Sequence, residues 1–152
     1  MRRSPALVPA LLLLLVLHPG SAEERTANAL ADLIKRTYDF KPRALTEQER
    51  ARKGTEITAL WEAVRAAPAQ TLPILRHALE DPAATPFFCF NGSNLLVSCD
   101  PTAAAKRFQI SCYARADLHE VNLTYWVMTL ATLAVEGFDT TPAACRWLED
   151  PI

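Results

Sequence analysis

Hydrophobic side chains recur along this chain with a period of 3.6 residues and nowhere with a period of two. Ile57, Leu60, Trp61 and Val64 fall at i, i+3, i+4 and i+7, and Leu123, Trp126, Val127, Leu130 and Ala134 keep the same register. On a helix this spacing gathers the apolar residues into one stripe, whereas a half-buried strand needs strict alternation. An all-α fold follows. The 11 prolines then mark where rods begin and end, because a proline fits the first turn of a helix and breaks its interior.

Leu30, Leu33, Ile34 and Tyr38 predict a first helix over residues 24–38, ended by the segment around Pro42. Thr46 with Glu49 has the pattern of a capping box, preceded by Leu45, so a second helix starts at Thr46. Its beginning, Glu47 to Lys53, is charged all round and expected to be solvated, and Gly54 is expected to divide it from the apolar stripe that follows. Pro68 is expected to end that stripe and Thr71 to cap a third helix, with Pro73 in its first turn and Leu72, Leu75 and Leu79 on its inner face. Asp81-Pro82 and Thr85-Pro86 read as stops, Phe87, Phe88 and Phe90 as core filling, and Asn91-Gly92 as a turn. Ser93 is then expected to cap a short helix to Ser98, and Asp100-Pro101 to open one that buries Ala105, Phe108 and Cys112. Asn122 caps the helix of Trp126, and Gly137 is its left-handed stop. Thr140 or Thr141, with Pro142, opens a last helix that presents Ala144, Cys145 and Leu148.

The N-terminus has the three-part pattern of a secretory signal: Arg2 and Arg3, an apolar run from Ala6 to Leu17, and Gly20-Ser21-Ala22 where signal peptidase needs small residues. The run is too short to span a bilayer and meets Pro19 and Gly20 at its end. No cysteine stands near Ala22 to take a lipid, so no stable membrane anchor is expected after cleavage. The division expected is residues 1–22 as signal peptide, 23–55 as an N-terminal helix with a charged linker helix, and 56–152 as the main helical domain. A narrow apolar stripe leaves open that residues 23–55 are a mobile arm docking only on a partner. The product would be secreted or periplasmic. The whole chain's 16 basic and 17 acidic residues, two of the basic ones in the signal, are interspersed, which offers no footprint for nucleic acid or an anionic membrane.

Candidate chemistry is sparse. Beyond the signal, His77 and His119 are the only histidines, no His, Cys or acid pair has zinc-site spacing, and glycine is too rare for a phosphate loop. No metal or cofactor is therefore expected. The four cysteines allow three complete pairings in an oxidising compartment. A bridge between Cys89 and Cys99 is the pairing expected if Asn91-Gly92 turns the chain, while Cys112 and Cys145 fall at apolar helical positions suited to buried thiols. An active thiol needs a base or a helix N-terminus to lower its pKa. The alternative functional reading is accordingly a small secreted thiol-dependent enzyme or redox protein using Cys89 or Cys99 with His119. Glu80-Asp81 and Glu149-Asp150 read as polar helix ends. Asn91-Gly92-Ser93 and Asn122-Leu123-Thr124 match the glycosylation pattern, but both asparagines have structural work. Trp61 and Trp126 lie in apolar stripes. Trp147 lies off the stripe of the last helix and is the candidate for an exposed partner contact.

Residues 57–82 echo residues 126–151. Leu79-Glu80-Asp81-Pro82 meets Leu148-Glu149-Asp150-Pro151, Thr71 meets Thr140, Pro73 meets Pro142, Pro68 meets Gly137, and Trp61 and Val64 meet Leu130 and Leu133. Helix-turn-helix units recurring in this way resemble HEAT-type and related α-solenoid repeats over about residues 57–150. The resemblance implies antiparallel helical hairpins stacked as a short solenoid, or, if the echo is fortuitous, an irregular helical bundle. It implies a face for binding and carries no catalytic residues. The functional expectation is a non-enzymatic module that holds a protein partner.

Overall fold

The computed structural model describes residues 21–149, and within them the side chains of residues 21–26 and 147 are not described. The signal pattern up to Gly20, and the Asp150-Pro151 end of the echo, lie outside the described residues. The rest is α1 (Ser21–Tyr38), a 3-10 turn (Pro42–Ala44), α2 (Glu47–Ala66), α3 (Pro68–Glu80), α4 (Pro86–Cys99), α5 (Ala103–Tyr113), α6 (Leu123–Val135) and α7 (Thr141–Glu149). There is no strand among the described residues, so the all-α class stands.

α1 buries Leu30, Ile34 and Tyr38, the i, i+4, i+8 stripe legible in its sequence, against α3 and α2. Tyr38 anchors this end: its hydroxyl accepts a hydrogen bond from Trp61 Nε1 at 3.0 Å and its carbonyl accepts one from the Thr85 hydroxyl at 3.2 Å. A helix held by three buried side chains and two cross-helix bonds is part of the domain core. The mobile-arm reading of residues 23–55 is not what the structure shows. The boundary at residue 55 also falls inside a helix, since α2 runs unbroken through Gly54. The glycine is exposed and a Cβ there would meet nothing within 4 Å, so it costs the helix propensity without breaking it.

The start of α2 follows its sequence closely. Thr46 Oγ1 accepts from the Glu49 amide at 3.3 Å, and Glu49 Oε2 accepts from the Thr46 amide at 2.8 Å. The same carboxylate accepts from the Thr46 hydroxyl at 2.7 Å, and these bonds hold the fully exposed Glu49 carboxyl below its ordinary value. A depressed folded pKa means that the stabilisation is present above the unfolded value, about 4.3, and is lost as pH falls through the folded one. In thermal unfolding followed by circular dichroism, wild type is expected to melt above Glu49→Gln at pH 6, with the gap closed by pH 2.5. A gap of constant size would show that the carboxylate charge contributes nothing.

The α2–α3 corner differs from the sequence expectation. Pro68 does not lie in a spacer; it is the first residue of α3, and the junction is Ala67 alone, at φ −140° and ψ 59°. Thr71 is therefore inside the helix. It is buried, and its hydroxyl shares a proton between the carbonyls of Ala67 at 2.8 Å and Val64 at 3.0 Å, closing the end of α2. Pro73 consequently stands within α3 rather than in its first turn, on the exposed side.

α4 is the largest departure. Thr85-Pro86 opens a helix instead of stopping one: Thr85 Oγ1 accepts from the Phe88 amide at 3.2 Å and Pro86 fits the first position. The helix then runs straight through Asn91-Gly92 and Ser93. Asn91, Ser93 and Asn94 send their side-chain donors back to the carbonyls of Phe87 and Phe90, at 3.2, 3.1 and 2.9 Å. Turn formers are thus satisfied within the helix, and tertiary burial overrides their preference. Gly92 permits close packing, since a Cβ there would come 2.6 Å from Phe88 and 3.0 Å from Leu79.

Two clusters share α4. One gathers Ile34, Tyr38, Leu60, Val64, Leu75, Leu79, Phe88, Cys89, Leu95 and Cys112 from α1 to α5. The other gathers Phe90, Ile110, Tyr113, Trp126, Leu130, Leu133 and Ala143 from α4 to α7 with the Ala116–Leu118 connector. α5 is capped by Thr102 rather than opened by Asp100-Pro101, and Phe108 is only half-buried, with the Arg76 guanidinium 4.9 Å above its ring. Gly137 ends α6 at φ +88°, as read from sequence. α7 buries Ala143, while Ala144, Cys145 and Leu148 face outward, because this short helix touches α5 along a single edge.

Candidate functional site

Among the described residues, α6 carries four of the five exposed large hydrophobic side chains, Tyr125, Val127, Met128 and Val135. Asn122 caps it, its side-chain oxygen accepting from the Tyr125 amide at 3.0 Å. The thirteen residues that follow, Leu123–Val135, contain no charged side chain. Trp126, Leu130 and Leu133 point to the core. The opposite side of a 3.6-residue helix must then carry Thr124, Val127, Met128, Ala131 and Val135, and all five are exposed. Met128 is 64% and Val135 89% exposed. The sequence register had placed Val127 and Ala134 with Trp126, but both face solvent. A helix apolar on all sides is ordinarily buried on all sides, and here one side only is covered.

Beside this face a cavity of about 280 Å³ opens between α4, α5 and α6, with Asn94, Gln109, Tyr125, Thr129, Lys106 and Glu136 among its lining. Asn94 Oδ1 accepts from Gln109 Nε2 and from the Tyr113 hydroxyl, each at 2.7 Å. Burial raises the Tyr113 phenol to about 12, so near neutrality it is a hydrogen-bonding group and not an acid. Lys106 and Glu136 pair at the rim. A larger groove, about 460 Å³, lies between α1 and the end of α3, where Asp32, Asp39, His77, Glu80 and Asp81 surround the apolar Ile34 and Phe88. Its tyrosine, Tyr38, is also pushed up by burial to about 12.

The cysteines are arranged differently from the sequence expectation. Cys89 and Cys99 lie on one helix ten residues apart, about 15 Å along its axis, and a disulfide requires Cα atoms within about 7 Å. The Cys89–Cys99 bridge is excluded by the straight course of α4. All four thiols are free. Cys89 is fully buried with Sγ 3.9 Å from the Ala84 carbonyl, and burial raises its pKa, only partly offset by Arg115. Burial raises Cys112 to about 12. Cys145 is exposed, contrary to its expected burial, and Cys99 is half-buried beside the Ser98 hydroxyl at 3.8 Å.

His119 sits in the connector after α5, its amide bonded to Asp117 Oδ1 at 2.9 Å. The charged group acting on the Cys89 thiol is Arg115. Arg115 in turn spends its guanidinium on the carbonyls of Leu79 and Asp81, both at 2.7 Å, satisfying the end of α3. His77 is exposed on α3, and Trp147 falls in α7 with its side chain outside the described set. Asn91 is half-buried within α4 and Asn122 is an exposed cap. Among the described residues no three His, Cys, Asp or Glu side chains form a group able to hold a metal ion, and no helix is long and apolar enough to cross a membrane.

Sequence reasoning missed the outer face of α6 because it placed Val127 and Ala134 in the core stripe and gave Met128, Ala131 and Val135 no side of the helix. The signal was present: a charge-free helix has no face made for water. No protein-family model matches the chain, and no curated protein or solved structure matches it.

Proposed function

We propose that this chain is an exported, non-enzymatic helical-repeat protein that holds a protein partner against the outer face of α6. The observation that carries the reading is the uncharged stripe of Thr124, Val127, Met128, Ala131 and Val135, exposed at the edge of the helix stack. Solenoids need a polar outer face on their terminal repeats to remain soluble, and an apolar one is a surface awaiting a neighbour. The absence of charge along α6 selects the occupant: an apolar helical face of another protein gains by docking there, whereas a charged peptide or a phosphate backbone would lose hydration for no return. The small residues Thr124 and Ala131 between larger ones allow a partner helix to approach closely.

Export is supported by the Arg2-Arg3, apolar run and Gly20-Ser21-Ala22 pattern, with maturation at Glu23. The stacked-hairpin reading is supported by the order of contact, with α1 on α3, α3 on α4 and α4 on α5. A non-enzymatic role is supported by the buried, raised thiols and phenols, none of which is poised to react near neutrality.

The test is affinity capture from the envelope fraction with wild type and with Met128→Glu/Val135→Glu. Both positions are exposed, so the double variant is expected to unfold within about 0.5 kcal/mol of wild type per site. It is expected to lose the captured partner at least tenfold. Equal recovery of the same partner by both proteins would remove α6 as the binding face.

A further inference from the structure

We infer that Cys89 and Cys112 form a disulfide that clamps α4 to α5 when the chain folds in an oxidising space. The two helices make an antiparallel hairpin joined through Asp100 to Thr102, and its register is set by contacts on one side: Phe90 packs on Tyr113 with ring centroids 5.2 Å apart and planes tilted by 38°, and Asn94 bonds Gln109 and Tyr113 at 2.7 Å. Cys89 precedes Phe90 and Cys112 precedes Tyr113. Each cysteine is therefore turned about a hundred degrees from its neighbour, onto the same flank of the hairpin, and because the helices run antiparallel the two are offset by about 3 Å along its axis. Both thiols enter the same buried cluster with Leu79 and Leu96, at 0% and 1% exposure. Their electrostatic fields also reach one another, with Cys89 the second cause, after burial, of the raised Cys112 pKa.

Cys99 and Cys145 are not alternative partners of this kind. Cys99 stands at the far end of α4 and Cys145 is exposed on α7. The pairing thus differs from every bridge that treats Asn91-Gly92 as a turn.

The raised pKa values mean that neither thiol attacks an oxidant readily once the core has closed, so the bond forms during folding. With oxidised glutathione as oxidant, the thiolate of one cysteine attacks a glutathione sulfur and releases one glutathione thiolate. The second cysteine, losing its proton to solvent, then attacks the protein sulfur of the mixed disulfide and releases the other glutathione. Two S–H bonds are lost, one S–S bond forms between the cysteines, and the two electrons reside in two reduced glutathiones. The bridge closes a loop of 24 residues, both cysteines included, and constrains the unfolded chain accordingly.

The experiment is oxidative refolding of the denatured, reduced chain in a glutathione buffer, with Cys99→Ser/Cys145→Ser so that only the two buried thiols remain. Titratable thiols are expected to fall from about two to about zero, the mass to fall by about 2 Da with no glutathione adduct, and a linked Cys89–Cys112 peptide to appear after proteolysis. Reduction is expected to lower the melting temperature by about 10 °C. Peptide mapping of the refolded wild-type chain should show the same link, which keeps the test decisive if the variant folds poorly. Two free thiols, two glutathione adducts or disulfide-linked dimers in place of the internal bridge would overturn the inference.

Discussion

Replacing Asn94 with alanine is expected to cost about 3 kcal/mol, although the residue is polar and its sequence neighbourhood reads as a turn. Asn94 is 8% exposed, and its side-chain oxygen accepts from Gln109 and Tyr113 between α4 and α5. Leaving a buried donor unpaired costs about 1–3 kcal/mol, which exceeds the net gain of forming an ordinary hydrogen bond. Gln109 bears most of this cost, because its carboxamide is 3% exposed, while the Tyr113 hydroxyl also has a bond with Thr129. Chemical denaturation separates hydrogen bonding from packing. Asn94→Leu is expected to be about as destabilising as Asn94→Ala, since volume does not replace the acceptor. The pair Asn94→Leu/Gln109→Leu is expected to recover part of the loss, because it removes the stranded donor together with its acceptor. Full rescue by Asn94→Leu alone would show that the site is held by packing.

The same residue shows what was and was not legible in the sequence. Periodicity identified α1, α2 and α6 from Ile34, Leu60 and Trp126, because one face of each is covered and the other is not, and a one-sided environment writes a 3.6-residue signature. α4 is covered on both sides. Phe88, Cys89, Phe90, Leu95 and Leu96 surround it, so no stripe stands out, and Asn91, Gly92, Ser93 and Asn94 then read as breakers. In the folded chain those four serve the interior: three bond back to carbonyls of their own helix, and Gly92 lets Leu79 approach. Thr85-Pro86 was misread for a related reason. A threonine before a proline both ends one helix and starts another, and the choice between them depended on Tyr38, which is forty-seven positions away and accepts the Thr85 hydroxyl bond. Caps with local partners, such as Thr46 with Glu49 and Asn122 with the Tyr125 amide, were legible because every atom involved lies within four residues. The candidate binding face was legible in composition but not in register. That Leu123–Val135 lacks charge is plain from the residues, whereas which side of it faces water depends on α5 packing against Trp126 and Leu130.

The largest loss of stability among single truncations is expected at Trp126. Its ring is 1% exposed, lies nearly parallel to Tyr113 at 6.2 Å with an interplanar angle of 13°, and joins α6 to the second cluster. Removing a fully buried tryptophan to alanine costs about 3–5 kcal/mol, as lost transfer free energy plus the cavity left behind. At Trp126 the upper half of that range is expected, because the connector, α5 and α6 all contact the ring's cluster and rigid helices collapse poorly. Trp126→Phe should behave differently. The indole Nε1 is buried with no hydrogen-bond partner among the described residues, so the native state already bears the cost of a desolvated donor. Phenylalanine removes that donor while keeping most of the stacking area, and a net change of about 1 kcal/mol is expected in urea unfolding. The gap between the two substitutions is the informative quantity. If Trp126→Phe were as damaging as Trp126→Ala, Nε1 would have to hold a bond that stabilises the fold, and the apolar account of this cluster would fail. If instead the gap is near 3 kcal/mol, burial of the ring alone secures α6, and the uncharged face that α6 turns outward is presented by a helix firmly fixed on its inner side.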